Sequence, residues 1–432
     1  MSIIYRRPAL ARQMARQLVN PGVLDEGLRS GLFLSGLRRT GKTTFLRSDL
    51  IPALEEAGAL VIYVDLWSDT QTDPAALVLG AIRRTLEELQ RPSSSLLRRL
   101  ARISGMEAGG FGFRFGFELE HVGEEGGPTL ARALTEIVDQ ADTDVVLIVD
   151  EVQHAITSEE GQRLLLALKA ARDAINPRLD SDNHFIFIGT GSHRALVNEL
   201  TARRSQAFAG ATSVAYPVLD RGYVEHLFAR LAAELRRAER RPVAHGRDEP
   251  AVTSVAALGA GSGEERAWPL PSVEIATRAF ASLGHRPEEM IKALKLLRSQ
   301  LPPGADPDVH FPVIAATLRT AAVDTELTKV ELLGGLATAV FERIAAVDGH
   351  ARGVYSAAAV ETYSRDVGRR VRVEEIQPVV NDLLAANLIM RRGHGLYGVT
   401  DPFVQQIWRE RRALGAGLEA PEERPRARTE RS

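Results

Sequence analysis

The sequence contains no cysteine among its 432 residues, and it is poor in lysine, methionine and aromatic residues. The absence of cysteine excludes a disulfide framework, a thiolate zinc site and a cysteine nucleophile. Lysine occurs only 5 times beside 49 arginines, so the position of each lysine is unusually informative. Long apolar runs are also missing. The longest, such as 145–149, have about five residues, whereas a membrane-spanning helix needs about 20.

Charge of one sign is not in excess either. Lys and Arg number 54 and Asp and Glu number 56, which gives a formal net charge of −2. This balance excludes a globally basic nucleic-acid coat protein but permits a local basic patch. The N-terminal residues contain no apolar run followed by a small-residue cleavage site, so no signal peptide is predicted. We expect a cytoplasmic protein without membrane contact, built of about two to four domains at roughly 100–200 residues each.

Four short apolar runs alternate with helix-length segments along the first half of the chain. The runs are 32–35, 60–66, 144–149 and 184–189, and the segments are 42–57, 74–91, 128–141 and 159–175. This alternation predicts βαβ units and a buried parallel sheet, and therefore an α/β fold. Pro52 is expected to interrupt the first of these helices.

Residues 109–120 depart from the pattern, because their phenylalanines recur with a period of two at Phe111, Phe113, Phe115 and Phe117. That period predicts a strand or hairpin inserted before the third strand of the sheet. The hairpin either protrudes as a contact element or covers the edge of the sheet. The pattern alone leaves both interpretations open.

A phosphate-binding loop follows the first predicted strand. Residues 36–43 match the pattern G-x-x-x-x-G-K-[ST]. Glycines allow the backbone to turn its N–H groups toward phosphate oxygens, and the helix that follows directs its positive end to the same place. Lys42 is expected to contact the β- and γ-phosphates, and the Thr43 hydroxyl to bind Mg²⁺. The predicted nucleotide-contacting residues are Gly36, Leu37, Arg38, Arg39, Thr40, Gly41, Lys42, Thr43 and Thr44.

An acidic pair ends the third predicted strand, where residues 145–151 read VVLIVDE. Asp150 is expected to hold Mg²⁺, which prefers hard oxygen ligands. Glu151 is expected to orient and deprotonate the attacking water. At the end of the fourth strand, Thr190 is the first candidate for a residue that senses the γ-phosphate, and Ser192 is the second. A simple glycine-rich turn is the alternative for this segment.

These motifs resemble a known group of proteins. GLRRTGKTT, VIYVDLWSD, VVLIVDEVQHA and FIGTGSHRALVNEL have the order and spacing of P-loop ATPases with an additional catalytic strand. Over roughly residues 1–410, the chain looks like an AAA-type ATPase near the archaeal-type ATPase family, the STAND group and the origin-recognition ATPases. The resemblance implies that ATP and Mg²⁺ are bound. It also implies the sheet order 5-1-4-3-2, a helical lid and a C-terminal winged helix.

The resemblance also implies two arginine roles. A lid arginine in such proteins contacts the phosphates, and Arg286, before the helix that starts at Pro287, is the candidate here. Related proteins often have a Gly-Arg pair whose arginine acts across a subunit interface. No arginine follows Gly210 in the corresponding stretch, so Arg203 or Arg204 would have to take this part. That departure puts an active ring assembly in question.

Pattern and resemblance together predict four segments. They are an ATPase core at 1–217, a helical lid at 218–326, a winged-helix domain at 327–412 and a tail at 413–432. Within the lid, 242–272 is rich in Pro, Gly, Ala and Ser, which predicts a flexible insertion. The tail has the composition of a disordered segment.

The predicted winged helix consists of helices at 333–347, 356–365 and 373–387, followed by a hairpin at 388–399. Arginines cluster around its third helix and wing, as phosphate contacts require. However, 366–412 contains 8 Arg against 6 Asp and Glu, a small excess for a DNA-binding surface. The domain is therefore expected to act either on double-stranded DNA or on a protein, including a second copy of the chain.

Three functions are compatible with these features. The first is an ATP hydrolase that switches conformation and acts on DNA or a partner protein. The second is a nucleotide-gated scaffold or signalling protein with little hydrolysis, which the missing Gly-Arg pair favours and Glu151 opposes. The third is a DNA-binding regulator in which ATP is structural. We expect the first, because Asp150 and Glu151 accompany a complete phosphate-binding loop.

Overall fold

The computed structural model describes most of the chain. The described residues are 4–69, 71–91, 127–156, 158–202, 206–239, 270–347, 349–393 and 395–418, with the isolated positions 94, 96, 98, 115, 122 and 123. The predicted hairpin at 109–120 lies outside this set except for Phe115, which packs against the main hydrophobic core. Most of the predicted insertion at 242–272 and of the predicted tail at 413–432 also lies outside it.

The chain divides into two compact units. The first comprises Met1–Arg7, Arg38–Asp49 and Pro217–Arg319, and the second comprises Pro8–Leu37, Leu50–Tyr216 and Thr320–Ser432. Among the described residues of both units, no helix is long and apolar enough to cross a membrane.

A five-stranded parallel sheet forms the centre of the second unit. Its strands are β1 (Leu32–Ser35), β2 (Leu60–Asp65), β3 (Val145–Asp150), β4 (Phe185–Gly191) and β5 (Thr212–Ala215). They lie in the order β2-β3-β4-β1-β5, and all pairs are parallel. Read from the other edge, this is the order 5-1-4-3-2, so the predicted sheet is confirmed.

Helices cover the sheet and bury its central strands. They are α1 (Pro8–Val19), α3 (Ile51–Glu56), α4 (Pro74–Gln90), α5 (Leu130–Ala141), α6 (Gln153–Ile156), α7 (Glu159–Ile175) and α8 (Arg194–Ala202), with a 3₁₀ helix at Val23–Ser30. Every residue of β3 and β4 is buried, because a parallel sheet has helices on its faces. The continuous apolar runs seen in the sequence follow from this double burial.

Side-chain caps define where three of these helices begin. Asp73, Thr129 and Ser158 each accept a hydrogen bond from a backbone N–H in the first turn of α4, α5 and α7. Such caps satisfy N–H groups that have no partner inside the helix. They explain why the helices start where the sequence changes from polar to periodic.

Gly161 in the first turn of α7 is expected to be intolerant of any side chain. A Cβ at this position would collide with the backbone carbonyl of Ala155. Gly161→Ala is therefore expected to lower the free energy of unfolding by about 1–3 kcal/mol, the usual cost of overpacking. Gly335→Ala is the matched control, because nothing lies within 4 Å of that position. Denaturant unfolding of both variants tests this, and equal stabilities would contradict it.

The first unit is helical. Helix α2 (Lys42–Phe45) runs into a π-helical turn at Leu46–Leu50, and α3 begins before Pro52, which interrupts the helix as predicted. The remaining helices are α9 (Arg221–Glu239), α10 (Val273–Ser282), α11 (Pro287–Gln300) and the first half of α12 (Pro307–Leu332). Their shared core includes Tyr223, Phe280, Met290 and Phe311. Helix α12 continues through the predicted boundary between 326 and 327.

The C-terminal part of the second unit, Gly335–Leu418, is called the C-terminal module. It contains α13 (Gly335–Ala345), α14 (Ala357–Val367), α15 (Val373–Ala385), strands β6 (Ile389–Gly393) and β7 (Leu396–Val399), and α16 (Pro402–Leu418). β6 and β7 form an antiparallel hairpin, and Ala351 adds a single bridge to Tyr397. Three helices followed by a hairpin is the order that the sequence predicts.

Candidate functional site

The carboxyl ends of β1, β3 and β4 lie side by side in the second unit. Ser35 pairs with Gly191, and Val149 pairs with Gly189. The N–H of Gly36 donates to the carbonyl of Gly191 at 3.1 Å. Because parallel strands end at one edge, the start of the phosphate-binding loop and the acidic pair after β3 share that edge. In open α/β sheets this edge is the usual place for a ligand.

The rest of the phosphate-binding loop lies in the first unit. Gly41 adopts the left-handed conformation, with a φ of 88°, and α2 begins at Lys42. Thr40 and Lys42 are buried, whereas Arg38, Arg39 and Thr44 are exposed. Gly36 and Leu37 belong to the second unit. A left-handed glycine directly before a helix is the turn that such a loop requires.

Asp49 ties the N-terminal segment to the helix after this loop. Its carboxylate is buried and accepts from Arg6 Nε at 2.6 Å and from the N–H of Arg7 at 3.1 Å. The Arg7 guanidinium lies over the Phe45 ring and donates to the carbonyl of Pro217. The ion pair between Asp49 and Arg6 therefore holds the π-helical turn against the N-terminal segment. Sequence reasoning assigned no role to these residues.

Within the first unit, an ion pair connects the loop to helix α11. The guanidinium of Arg39, whose φ is 64°, lies 3.2 Å from the carboxylate of Glu288 in the first turn of α11. Arg286 is the N-cap residue of α11, with an extended backbone, and is half-buried. A helix that starts at Pro287 was expected from the sequence, and α11 starts there. Arg203 and Arg204 lie outside the described residues.

Asp150 ends β3 with no exposed surface. Its carboxylate accepts from the Thr190 hydroxyl, from Tyr63 OH at 3.2 Å and from the N–H of Glu151 at 3.1 Å. Thr190 has one hydroxyl proton, which this contact uses. In this conformation Thr190 orients Asp150. The contribution of Tyr63 was not predicted, although it lies on the neighbouring strand β2.

Glu151 is held by residues from two directions. Its Oε2 accepts from the N–H of Ser192 at 3.1 Å, from the Ser192 hydroxyl at 2.7 Å and from the Gln153 amide. The backbone of Glu151 has a φ of 57°, which is uncommon and unfavourable for a residue with a side chain. These donors keep the carboxylate turned toward the end of β4. Ser192 and Gln153 therefore control where the predicted base points.

Gly191 makes room for this arrangement. A Cβ there would collide with Gln153 Oε1 and come within 2.5 Å of Val197 Cγ2. The glycine after Thr190 is therefore needed for side-chain space and not for a turn. The sequence signal was present, because Gln153 belongs to the Asp-Glu-hydrophobic-Gln segment and Gly191 to the Thr-Gly-Ser segment. Neither segment reveals that the two touch.

Comparison with known proteins identifies the class of this site. Residues 26–197 match the family model described as an AAA domain. The matched segment includes the phosphate-binding loop, the acidic pair and β1 to β4. Residues 26–197 are therefore an AAA domain of the P-loop type. The fold of this class binds a nucleotide. A search of curated proteins finds no significant match.

Solved structures similar to this chain include the following three proteins. The ADP form of the Aeropyrum pernix ORC2 protein is 13% identical, covers 96% of this chain and 97% of its own, and has a TM-score of 0.47. The Aeropyrum pernix ORC1 protein in complex with DNA is 13% identical, with coverages of 96% and 95% and a TM-score of 0.36. Cdc6p from Pyrobaculum aerophilum is 15% identical, with coverages of 96% and 97% and a TM-score of 0.31.

Proposed function

We propose that the protein is an ATP-hydrolysing molecular switch whose nucleotide state controls the C-terminal module. The observation that supports this most strongly is the AAA domain at 26–197 with both halves of a hydrolytic site in its sequence. A phosphate-binding loop alone would support binding only. Glu151 after the buried strand β3 adds a general base, which a purely structural nucleotide site does not need.

The roles proposed for the loop follow from its chemistry. Backbone N–H groups from Gly36 to Thr44 would contact phosphate oxygens, and Lys42 would contact the β- and γ-phosphates. Thr43 and Asp150 would hold Mg²⁺, which supplies charge neutralisation to the phosphates. One hydroxyl and one carboxylate fit this ion, because Mg²⁺ is usually bound through one or two carboxylates and substrate phosphates. Among the described residues there is no group of three or more acidic or histidine residues that offers an alternative metal site.

In the proposed reaction, Glu151 accepts a proton from water as the water oxygen attacks the γ-phosphorus. The bond from that phosphorus to the ADP oxygen then breaks. Thr190 orients Asp150 through its hydroxyl and is the proposed γ-phosphate sensor. Arg286, at the start of α11, is the proposed lid arginine. The negative charge that develops on the phosphoryl oxygens is what these groups would stabilise.

The proposed domains are the core at 1–217, the lid at 218–326 and a winged helix at 327–412. Three helices and a hairpin in the C-terminal module support the last of these. The third helix, α15, would be the recognition helix of such a domain. Its exposed side carries Glu374, Gln377, Asn381 and Asp382 and has no basic residue.

This surface favours a protein over DNA as the partner. Arg369, beside α15, already pairs with Glu375 at 2.8 Å. Backbone donation from Arg372, together with Arg369, lowers the pKa of the Glu375 carboxyl. That carboxylate therefore stays ionised, and it neutralises part of the basic cluster that would contact phosphates.

A second candidate is a nucleotide-gated scaffold with little hydrolysis. The contacts of Glu151 with Ser192 and Gln153 favour it, because a carboxylate that already accepts three hydrogen bonds is a poor base. In that case ATP would change the conformation by binding alone. The two candidate functions predict different rates of ATP turnover but the same affinity for ATP.

The partner can be tested by ATP turnover with and without double-stranded DNA. We expect that a 30-base-pair duplex changes the turnover by less than about twofold at physiological salt, because the exposed side of α15 is acidic. Asn381→Arg/Asp382→Arg provides a matched comparison that makes this side basic. Strong stimulation of wild-type ATP turnover by DNA would contradict the assignment of a protein partner. It would identify the C-terminal module as a DNA-binding domain.

A further inference from the structure

Helix α8 joins the end of β4 to the C-terminal module. It starts two residues after Ser192, which hydrogen bonds to Glu151. Ala195, in the first turn of α8, is buried and belongs to the hydrophobic cluster of the module, together with Leu383 and Leu388. Helix α8, which follows β4, therefore contributes to the hydrophobic core of the C-terminal module.

Three polar contacts complete this interface, which we call the α8 seam. They join His193 Nε2 to the carbonyl of Ala385 at 3.0 Å, Arg194 to the carbonyl of Thr400 at 2.9 Å, and Arg391 Nε to Glu199 Oε1 at 3.5 Å. They engage the end of α15, the segment after β7 and strand β6. The seam thus holds the module at three separate points.

The Glu199–Arg391 ion pair is the part of the seam that depends on charge. The two side chains are only 17% and 27% exposed. Burial raises the pKa of the Glu199 carboxyl, and the charge of Arg391 opposes that effect. Removal of one partner leaves the other charge poorly solvated, which is more costly than loss of an exposed pair. Reversal of one charge should therefore open the seam.

His193 connects the seam to the predicted base. Its Nδ1 accepts from the N–H of Leu196 at 3.4 Å, while Nε2 donates to the carbonyl of Ala385. One ring therefore links the start of α8 with the end of α15. Ser192 precedes His193 directly and donates to Glu151 through both its N–H and its hydroxyl. A shift of α8 must move these two donors.

We propose that the C-terminal module restrains Glu151 through the α8 seam, and that separation of the module from α8 releases Glu151 for hydrolysis. This inference rests on the proposed role of Glu151 as the base. The module acts as a built-in inhibitor while it is packed against α8, which is the docked state. Ser192 is a positioning residue, because its contacts with Glu151 depend on whether the module is docked. A partner that binds the module in its undocked form would accelerate turnover, because it shifts the equilibrium between the two states.

The ion pair provides the test. Arg391→Glu and Glu199→Arg are each expected to raise kcat by about fivefold or more, a typical size for coupling between sites. The double variant restores the pair and returns kcat toward the wild-type value. Arg365→Glu is the matched control, because Arg365 is an exposed arginine on α14 that pairs only with Glu361 of its own helix among the ion pairs described. Hydrogen–deuterium exchange over 194–202 measures opening of the seam in the same samples.

Ser192→Ala tests the link to Glu151. Ser192→Ala removes the hydroxyl donor to Glu151 but keeps the backbone N–H and the Gln153 amide. It is expected to raise kcat, and Arg391→Glu is expected to raise kcat by a smaller factor in that background than in the wild type, because both changes loosen the same carboxylate. Glu199→Gln, which is nearly isosteric, replaces the charge reversals if these lower the melting temperature of the whole chain. A fall in kcat for Ser192→Ala would identify Ser192 as a sensor and overturn the proposal.

The outcomes separate this inference from the proposed function. Faster exchange at 194–202 with an unchanged kcat would overturn the inference, as would unchanged exchange in both charge reversals. If Glu151→Gln still removes turnover in that case, the proposed function stands. If turnover is absent from the wild type and from every seam variant, or is unaffected by Glu151→Gln, the proposed function itself fails.

Discussion

Lys42→Ala is expected to lower the affinity for ATP by about 100-fold or more, since hydrogen bonds to a charged group contribute about 1.5–3 kcal/mol each and this lysine would make two. The residue begins α2 directly after the left-handed Gly41, and its side chain is 5% exposed. No other lysine lies near the motif in the sequence, where the neighbouring basic residues are arginines. Titration calorimetry with ATP and Mg²⁺ measures the loss.

Lys169→Ala is the control for this prediction. Lys169 is a partly exposed lysine on α7 that pairs with Asp173 at 2.6 Å, and its loss should leave ATP affinity unchanged. Melting temperatures of both variants without nucleotide show whether either change disturbs the fold. Wild-type affinity in Lys42→Ala would remove the loop from the nucleotide site and with it the basis of the proposed function.

Glu151→Gln is expected to lower kcat by about 10²- to 10⁴-fold, the usual contribution of a general base. Affinity for ATP should remain, because the residue is assigned to proton transfer and not to phosphate binding. The glutamine oxygen is still able to accept from the N–H and the hydroxyl of Ser192, so the end of β4 keeps its partners. The variant should therefore trap unhydrolysed ATP.

Analysis of the nucleotide retained after gel filtration tests this trapping. Glu160→Gln, an exposed acid in the first turn of α7, is the matched control. This variant and the wild type are both expected to retain mainly ADP. If Glu151→Gln turns over ATP at the wild-type rate, another group takes the proton. The second candidate function would then lose its main argument too, since the state of Glu151 would no longer matter.

Much of the AAA domain was predictable because its signals are local. Residues 32–34 and 145–149 are apolar throughout, as required for strands that helices cover on both faces. The phosphate-binding loop combines a glycine turn and a lysine at fixed spacing, so its position before a helix follows from the sequence alone. Pro52 likewise predicted the interruption within the first helical segment, and α3 starts next to it.

Other features depend on the fold and have no local signal. β5 has only 4 residues, and its three last residues are exposed, so neither apolarity nor alternation identified it. It joins the sheet by pairing with Leu32 to Ser35 of β1, on the side of β1 opposite to β4. The sequence places Ser192 41 positions from Glu151, and only the adjacency of β3 and β4 brings the two together.

The α8 seam shows the same limit over a longer distance. Neither Glu199 nor Arg391 belongs to a motif that the sequence analysis identified. The sequence analysis also assigned the two residues to different domains. The register of β6 and the packing of α8 decide that they meet. Sequence reasoning thus located the chemical groups of the site, while the neighbours that hold those groups became visible only in the folded chain.

Phosphate release from the purified wild-type protein with Mg²⁺ and ATP tests the central claim most directly, with Lys42→Ala prepared in parallel as the blank. The account predicts steady turnover above the blank that falls to the blank level in Glu151→Gln. Turnover equal to the blank both in the wild type and in Arg391→Glu, in which the α8 seam is opened, would contradict the account if both proteins still bind ATP. The protein would then be a nucleotide-gated scaffold and not an ATP hydrolase.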